Sequence, residues 1–297
     1  MKIKQSPGSL VFDIANYTFM VLLMIITIYP FLNVLAVSIS DSDSVSRGLV
    51  NIIPKGINFD MYRMLLWSPE VRVSYLNTVE YALVNLFITL VLNSIMAYAL
   101  SKPDLPGRSF LTIFLAVTMF FSGGLIPTFL IIKQLGGINT FWVMVLPFTV
   151  SAWTVIVMRT FFQSLPYSLT ESAVIDGAGE TTILTQIILP LSKPLYATMS
   201  LFCVVGKWNS WFDAFIYLTN RMKYPIQTML REVSILGNIL NNSTANDMIR
   251  QGQQAALIIP QSYKAAMMMI VIIPIIILYP FFQRYFIKGV MIGAIKG

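Results

Sequence analysis

Histidine is absent from this 297-residue chain, and cysteine occurs once, at Cys203 inside an apolar block. A Cys/His zinc site and a Ser-His-Asp triad are therefore excluded, and no intrachain disulfide can form. Charge is also scarce. Charged residues make up 11% of the chain, against about 25% in a soluble domain. No G-x-x-x-x-G-K-(S/T) phosphate loop occurs, so the chain is not itself a phosphate-loop ATPase. The formal net charge of +7 includes no run of five or more bases. That excess suits lipid headgroups and membrane orientation, not nucleic acid.

Apolar residues dominate instead. They make up 56% of the chain, with a mean hydropathy of +0.73, as in an integral membrane protein. Six blocks read as spans: Ile14–Ser38, Ser74–Leu100, Phe110–Ile132, Phe141–Phe161, Leu195–Leu218 and Tyr263–Phe286. Each is long enough to cross a ~30 Å hydrocarbon core at ~1.5 Å per residue, and in lipid such blocks must be helical. The expected fold is an all-α bundle of six transmembrane helices, a single transmembrane domain over 1–297. Residues 39–73 and 219–262 are its long outer loops, and 163–194 is an inner loop. The first apolar stretch, Ile14–Ile39, exceeds a signal-peptide core and lacks a clear cleavage site, so no cleavable signal is expected. Lysine and arginine counts are nearly equal on the two sides. Lys102 and Arg108 in a short linker, with Arg284 and Lys288 after the last span, favour cytoplasmic termini.

The inner loop, Gln163 to Pro194, is the informative interruption. Three acids (Glu171, Asp176, Glu180) and no base fall between Arg159 and Lys193. Ser168-Leu169-Thr170-Glu171 has capping-box spacing, which predicts a short helix starting near Ser168. Gly177 then ends or bends it. A second stretch places Ile183, Leu184, Ile187, Ile188 and Leu191 at helical spacing, and Pro190 and Pro194 separate it from the fifth span. On these residues alone the segment is either a helix–Gly–helix knob on the membrane surface or an ordinary connecting loop with solvated polar residues.

The spacing of Glu171, Ser172, Ala173, Asp176, Gly177 and Ala178, followed by Ile187, Leu189 and Pro190, resembles the EAA loop of importer-type ABC permeases. Ser172 stands where that family usually has alanine. The tail Lys288–Gly297 and Leu135–Thr140 are similar to carbohydrate-type permeases, the family of the maltose and other oligosaccharide importers. Phe121-Ser122-Gly123-Gly124-Leu125-Ile126-Pro127 resembles a subgroup associated with complex or uronic-acid oligosaccharides, alginate among them. The resemblance implies a multi-pass permease subunit in the plasma (inner) membrane of a prokaryote, with both termini cytoplasmic. Its partners would be two ABC ATPase subunits, a second permease subunit (related but a different chain), an extracytoplasmic solute-binding protein and membrane lipid. ATP and Mg would sit on the partner ATPase, with no cofactor, metal or catalytic residue in this chain. Glu171 would contact the ATPase, and Gly177 would allow the turn that inserts the knob into its groove.

Within the spans, ionisable residues are few: Glu80, Lys207 and Asp213. Such charges usually face a polar cavity or a partner. Continuous helical spacing would put Trp208 and Trp211 on one face and Asn209 and Asp213 on another, a mixture suited to sugar rings and hydroxyls. The alternative is that the tryptophans pack the bundle while Lys207 and Asp213 satisfy each other. Asn77 and Asn93 read as interhelical hydrogen-bond glue. Gly123-Gly124 marks a close approach or break, and Pro127, Pro274 and Pro280 are expected to kink helices. The rival to an importer subunit is an ion-coupled secondary transporter, which would want inverted repeats and midplane acids. The chain shows no clear repeat.

Overall fold

The computed structural model describes residues 7–241 and 261–294, with side chains described over 8–235 and 261–283. The side chains of the tail motif from Lys288, the side chain of Arg284 and residues 242–260 of the last long loop lie outside the described residues. Two compact units divide the chain. One comprises Met1–Ser68 with Leu230–Ile273, the other Pro69–Met229 with Pro274–Gly297.

In the first unit, α1 (Pro7–Ser38) is apolar along its length and exposes most of its large side chains, as expected of a lipid-facing helix. The loop after it folds back on the helix end. Tyr29 Oη donates to Asn51 Oδ1 (3.1 Å) and Asn33 Nδ2 to Asn51 O (2.9 Å). Asp41 caps the short helix Ser42–Ser46 by accepting from Ser44 N at 2.8 Å.

The second unit is organised around α2 (Pro69–Ser101). Its buried polar residues Ser74, Thr78, Asn85, Thr89 and Asn93 recur at helical spacing, so one stripe of the helix carries hydrogen-bonding groups into the interior. Against it pack α5 (Ala152–Ser164) and α7 (Lys193–Trp208). Two apolar clusters lie at different levels of α2. One gathers Ala97, Tyr98 and Leu100 with Val155, Met158, Phe162, Ile183, Ile188 and Met199. The other joins Tyr81 to Val143, Met144, Val145, Ala214 and Tyr217. The polar stretch Asn85–Asn93 lies between them.

All six apolar blocks are helical, and among the described residues there is no strand. They are not six plain rods, however. Gly8–Ser38, Pro69–Ser101 and Gln261–Gln283 are uninterrupted helices long and apolar enough to span. The last belongs to α9 (Gln261–Ala294), which runs through Pro274 and Pro280 without a break. The third block is α3 (Arg108–Phe120) and α4 (Leu125–Gln134), bent by 111°. That break falls at Gly123-Gly124, with Gly124 at φ +81°, a conformation glycine adopts freely. Pro127 is not the kink: it occupies the first turn of α4, where its missing N–H would have had no helical partner.

The fourth block also departs from a single helix. Trp142–Val145 and α5 are separated by irregular backbone at 146–151, where Pro147 offers no N–H and Phe148 has φ +63°. Lipid would not tolerate such backbone unsatisfied, and α2 supplies the partners. Asn85 Nδ2 donates to Val145 O (2.8 Å), Asn93 Nδ2 to Thr149 O (2.8 Å), and Ser151 N donates to Asn93 Oδ1 (3.1 Å). Asn77 Nδ2 donates to Met222 O at 2.8 Å. Asn77 and Asn93 thus join distant segments, as expected.

Candidate functional site

The loop from Gln163 to Pro194 begins with α6 (Tyr167–Ile175). The expected Ser168–Glu171 capping box does not form. Pro166, with its fixed φ, leads directly into Tyr167, so Ser168 lies inside the first turn and its carbonyl accepts from Ser172 Oγ at 2.9 Å. The helix ends in a Schellman turn, since Gly177 N donates to Val174 O (3.0 Å) and Ala178 N to Ala173 O (2.9 Å). This closure needs φ > 0 at Gly177, which has φ +79°. Open space surrounds the point where a Cβ would stand, so a side chain there would project from the surface.

Ala173 is buried in the apolar cluster beneath, while Glu171, Ser172, Asp176 and Gly177 are exposed. Val174 and Ile175 form an exposed apolar tip, with Ile175 81% exposed. This tip escaped the motif reading, although its apolar type between Ala173 and Asp176 was a signal. The chain then returns through Glu180–Thr182, a π-helical Ile183–Ile188 and Leu189–Leu191. Ile183 and Ile188 are buried under the loop, and Ile187, Leu189 and Ala178 are half-buried. The wider turns stand just before Pro190, which has no N–H to close an ordinary α-helical bond. A bend of 82° at Ser192 turns the chain into α7.

A second contact fastens the loop. Tyr98 Oη donates to Glu180 Oε2, Lys102 Nζ lies 2.9 Å from the same oxygen, and the ammonium sits 4.8 Å from the Tyr98 ring centre. Glu180 lies outside the spans. The hydrogen bond from Tyr98, reinforced by Lys102, holds its carboxyl below the usual carboxylate range. The loop therefore rests on α2 through apolar contacts and an ionic clamp. Beside the clamp is a cavity of about 380 Å³ reached by Tyr98, Lys102, Gln163, Tyr167 and Thr170.

Further along α2 lies a second cavity of about 230 Å³, lined by Asn85, Thr89, Thr149, Thr154, Ser210, Lys207, Asp213 and the apolar Phe202. It exists because the fifth block is broken. α7 ends at Trp208, Asn209–Trp211 is irregular, and α8 (Phe212–Tyr217) resumes the helix. The continuous spacing expected for Trp208, Asn209, Trp211 and Asp213 is therefore not realised. Asn209 and Ser210 favour local bonds over the helix, and Ser210 Oγ donates to Asp213 Oδ2 at 3.0 Å.

Lys207 and Asp213 both line the cavity, but no ion pair joins them, and among the described residues Lys207 has no carboxylate within 4.0 Å. The two tryptophans do not line it. Trp208 is buried at 4% exposure and meets Tyr75 edge-on, while Trp211 meets Phe212. Asn209 and Glu80 are exposed elsewhere. The sequence reading missed Asn85, Thr89 and Thr154 as cavity residues, although Asn85-Thr89-Asn93 at spacings of four announced a polar face.

Comparison with known proteins agrees with this architecture. Permease protein YtcP of the polygalacturonan/rhamnogalacturonan transport system, from Bacillus subtilis (strain 168), is 37% identical over 96% of this chain and 98% of its own length. Protein LplC of the same organism is 38% identical over 97% and 95%. A chain from the crystal structure of a bacterial ABC transporter involved in the import of the acidic polysaccharide alginate has a TM-score of 0.85 and 31% identity. That match covers 96% of this chain and 100% of the other. The family model described as the binding-protein-dependent transport system inner membrane component matches residues 8–292. The chain, then, is an inner-membrane permease subunit belonging to the binding-protein-dependent transport system inner membrane component family.

Proposed function

We propose that this permease subunit forms half of the pathway of an ATP-driven oligosaccharide importer, and that acidic oligosaccharides are its cargo. The observation that carries the coupling role is the knob itself. Its exposed Val174–Gly177 tip stands on a base fixed to α2 by Ile183, Ile188 and the Glu180–Lys102 pair. A rigid lever of this kind suits insertion into a groove on an ATPase subunit. Glu171, Ser172 and Asp176 would meet that groove's rim, and Ala173, Ala178, Ile187, Leu189 and Pro190 would keep the lever rigid. ATP and Mg belong to the two partner ATPases, and this chain contributes no catalytic group. ATP binding would close the ATPases, swing the knob and open the far face to a loaded binding protein. Hydrolysis would reset it. The knob and both termini would then be cytoplasmic, with 39–73 and 219–262 facing the binding protein. A second, related permease would complete the pathway.

Lys207 supports the choice of cargo. A half-buried ammonium with no carboxylate within 4.0 Å among the described residues, sharing its cavity with Asp213 and with hydroxyl and amide groups, can meet a sugar carboxylate while its neighbours meet hydroxyls. The relatives named for polygalacturonan/rhamnogalacturonan and for alginate transport agree with that chemistry. The test is ATP-dependent uptake into vesicles holding the reconstituted complex, with binding protein loaded with uronic-acid or neutral oligosaccharides. Uptake of the acidic cargo supports the reading, and uptake of neutral oligosaccharides alone refutes the cargo assignment.

A further inference from the structure

We infer that the loop side of this subunit carries a binding site for the phosphodiester of an anionic phospholipid, built by Arg108 and Arg159. The two residues come from different helices, the first turn of α3 and the middle of α5. Both Nε atoms donate to one carbonyl, Leu100 O in the last turn of α2, each at 3.1 Å. Their guanidinium groups are therefore neighbours. Among the described residues neither is paired with a carboxylate, and the nearby Asp104 makes no ion pair with them.

Like charges this close repel, and one arginine would already satisfy a helix-end carbonyl. Each guanidinium has five N–H donors, and the shared carbonyl takes one from each. Both arginines line a cavity of about 590 Å³. Its other walls divide by chemistry: Ser109 and Thr112 bring hydroxyls, Leu105 and Ile113 apolar surface. Ile113 also belongs to the exposed apolar face of α3, with Phe110, Phe114 and Val117. The cavity thus joins a pair of cations to the lipid-facing belt at the end of the spans. A phosphodiester would neutralise the arginines there while its acyl chains lie along α3. Basic pockets of this kind between transmembrane helices hold lipid headgroups. A free phosphate would use the same cations but leave the apolar wall unoccupied. The inference does not depend on which sugar is carried.

Native mass spectrometry of the intact transporter complex reads assembly and bound lipid together. The complex is presented with phosphatidylglycerol, phosphatidylcholine or inorganic phosphate. The expected result is retained phosphatidylglycerol in preference to phosphatidylcholine, undisplaced by excess inorganic phosphate. Arg108→Gln and Arg159→Gln should each weaken retention roughly fivefold, about 1 kcal/mol per basic residue near a membrane surface. The double variant should lose the preference. Each single variant leaves one donor on Leu100 O, so its fold is preserved, and the mass of the assembled complex verifies this. Equal retention by wild type and both single variants would overturn the site. Displacement by inorganic phosphate, or binding of phosphate without lipid, would overturn the lipid assignment.

Discussion

The loop from Gln163 to Pro194 and the cavity at Lys207 solve opposite problems within one unit. The loop must be stiff at its base and exposed at its tip. It buries Ala173, Ile183 and Ile188 in an apolar cluster and leaves Val174 and Ile175 outside. The cavity must hold polar groups at membrane depth. It does so by breaking helices, at 146–151 and 209–211, with α2 giving partners to the freed backbone of the first break. In the loop, glycine and proline set the backbone and side chains are secondary. In the cavity, asparagine and serine side chains make the broken backbone tolerable. A lesion in the loop should therefore disturb coupling and leave the fold intact, whereas one in the cavity should disturb stability or cargo.

The strongest test of that contrast is Gly177→Trp. A non-glycine residue at φ +79° costs about 1–2 kcal/mol, and the indole would project from the knob. Co-purification should show the ATPase lost from the complex, or ATP hydrolysis uncoupled from uptake, with this chain still inserted. Unchanged association and unchanged transport would break the distinction.

On the cavity side, Asn93→Leu removes the partners of Thr149 O and Ser151 N. Leaving each group unsatisfied costs about 1–3 kcal/mol. Thermal unfolding of the purified complex should fall accordingly, with ATPase association retained below the transition. Lys207→Gln should reduce uptake of acidic oligosaccharides by roughly tenfold, the value of one charge-assisted bond. Neutral cargo, measured in the same vesicles, should be affected far less.

The smallest effect concerns the Tyr98–Glu180–Lys102 clamp. Glu180 has a lowered pKa in the folded chain, so its contribution is complete above the ordinary glutamate value, about 4.3. It is lost as pH falls through the still lower folded value. Glu180→Gln should flatten that acid-side loss in a pH series of unfolding measurements. Because Glu180 is largely exposed, the change should be modest.

What was legible in the sequence follows the same division. Fixed spacing announced the loop, because a left-handed turn needs glycine and a helix stop favours proline. Gly177 and the bend before α7 fell where expected. The capping box failed because Pro166 could start the helix alone. Apolar length announced six helical blocks but not their interruptions. Pro147 inside the fourth block and Asn209-Ser210 inside the fifth are short polar or N–H-free breaks that hydropathy averages away. The shared face of Trp208 and Trp211 fails for that reason, since helical spacing does not carry across a segment that is not helical, and both rings pack against aromatic neighbours as the alternative has it. The partners of the break at 146–151, Asn85 and Asn93, lie some sixty residues away in sequence, and only packing joins them.

Coupling through this chain requires that the knob meet an ATPase. A photo-crosslinking residue placed at position 175, the most exposed point of the tip, tests this in the assembled complex. The expected result is a covalent adduct to the ATPase subunit. Adducts confined to lipid or to this chain, in a complex that contains the ATPase, would contradict it.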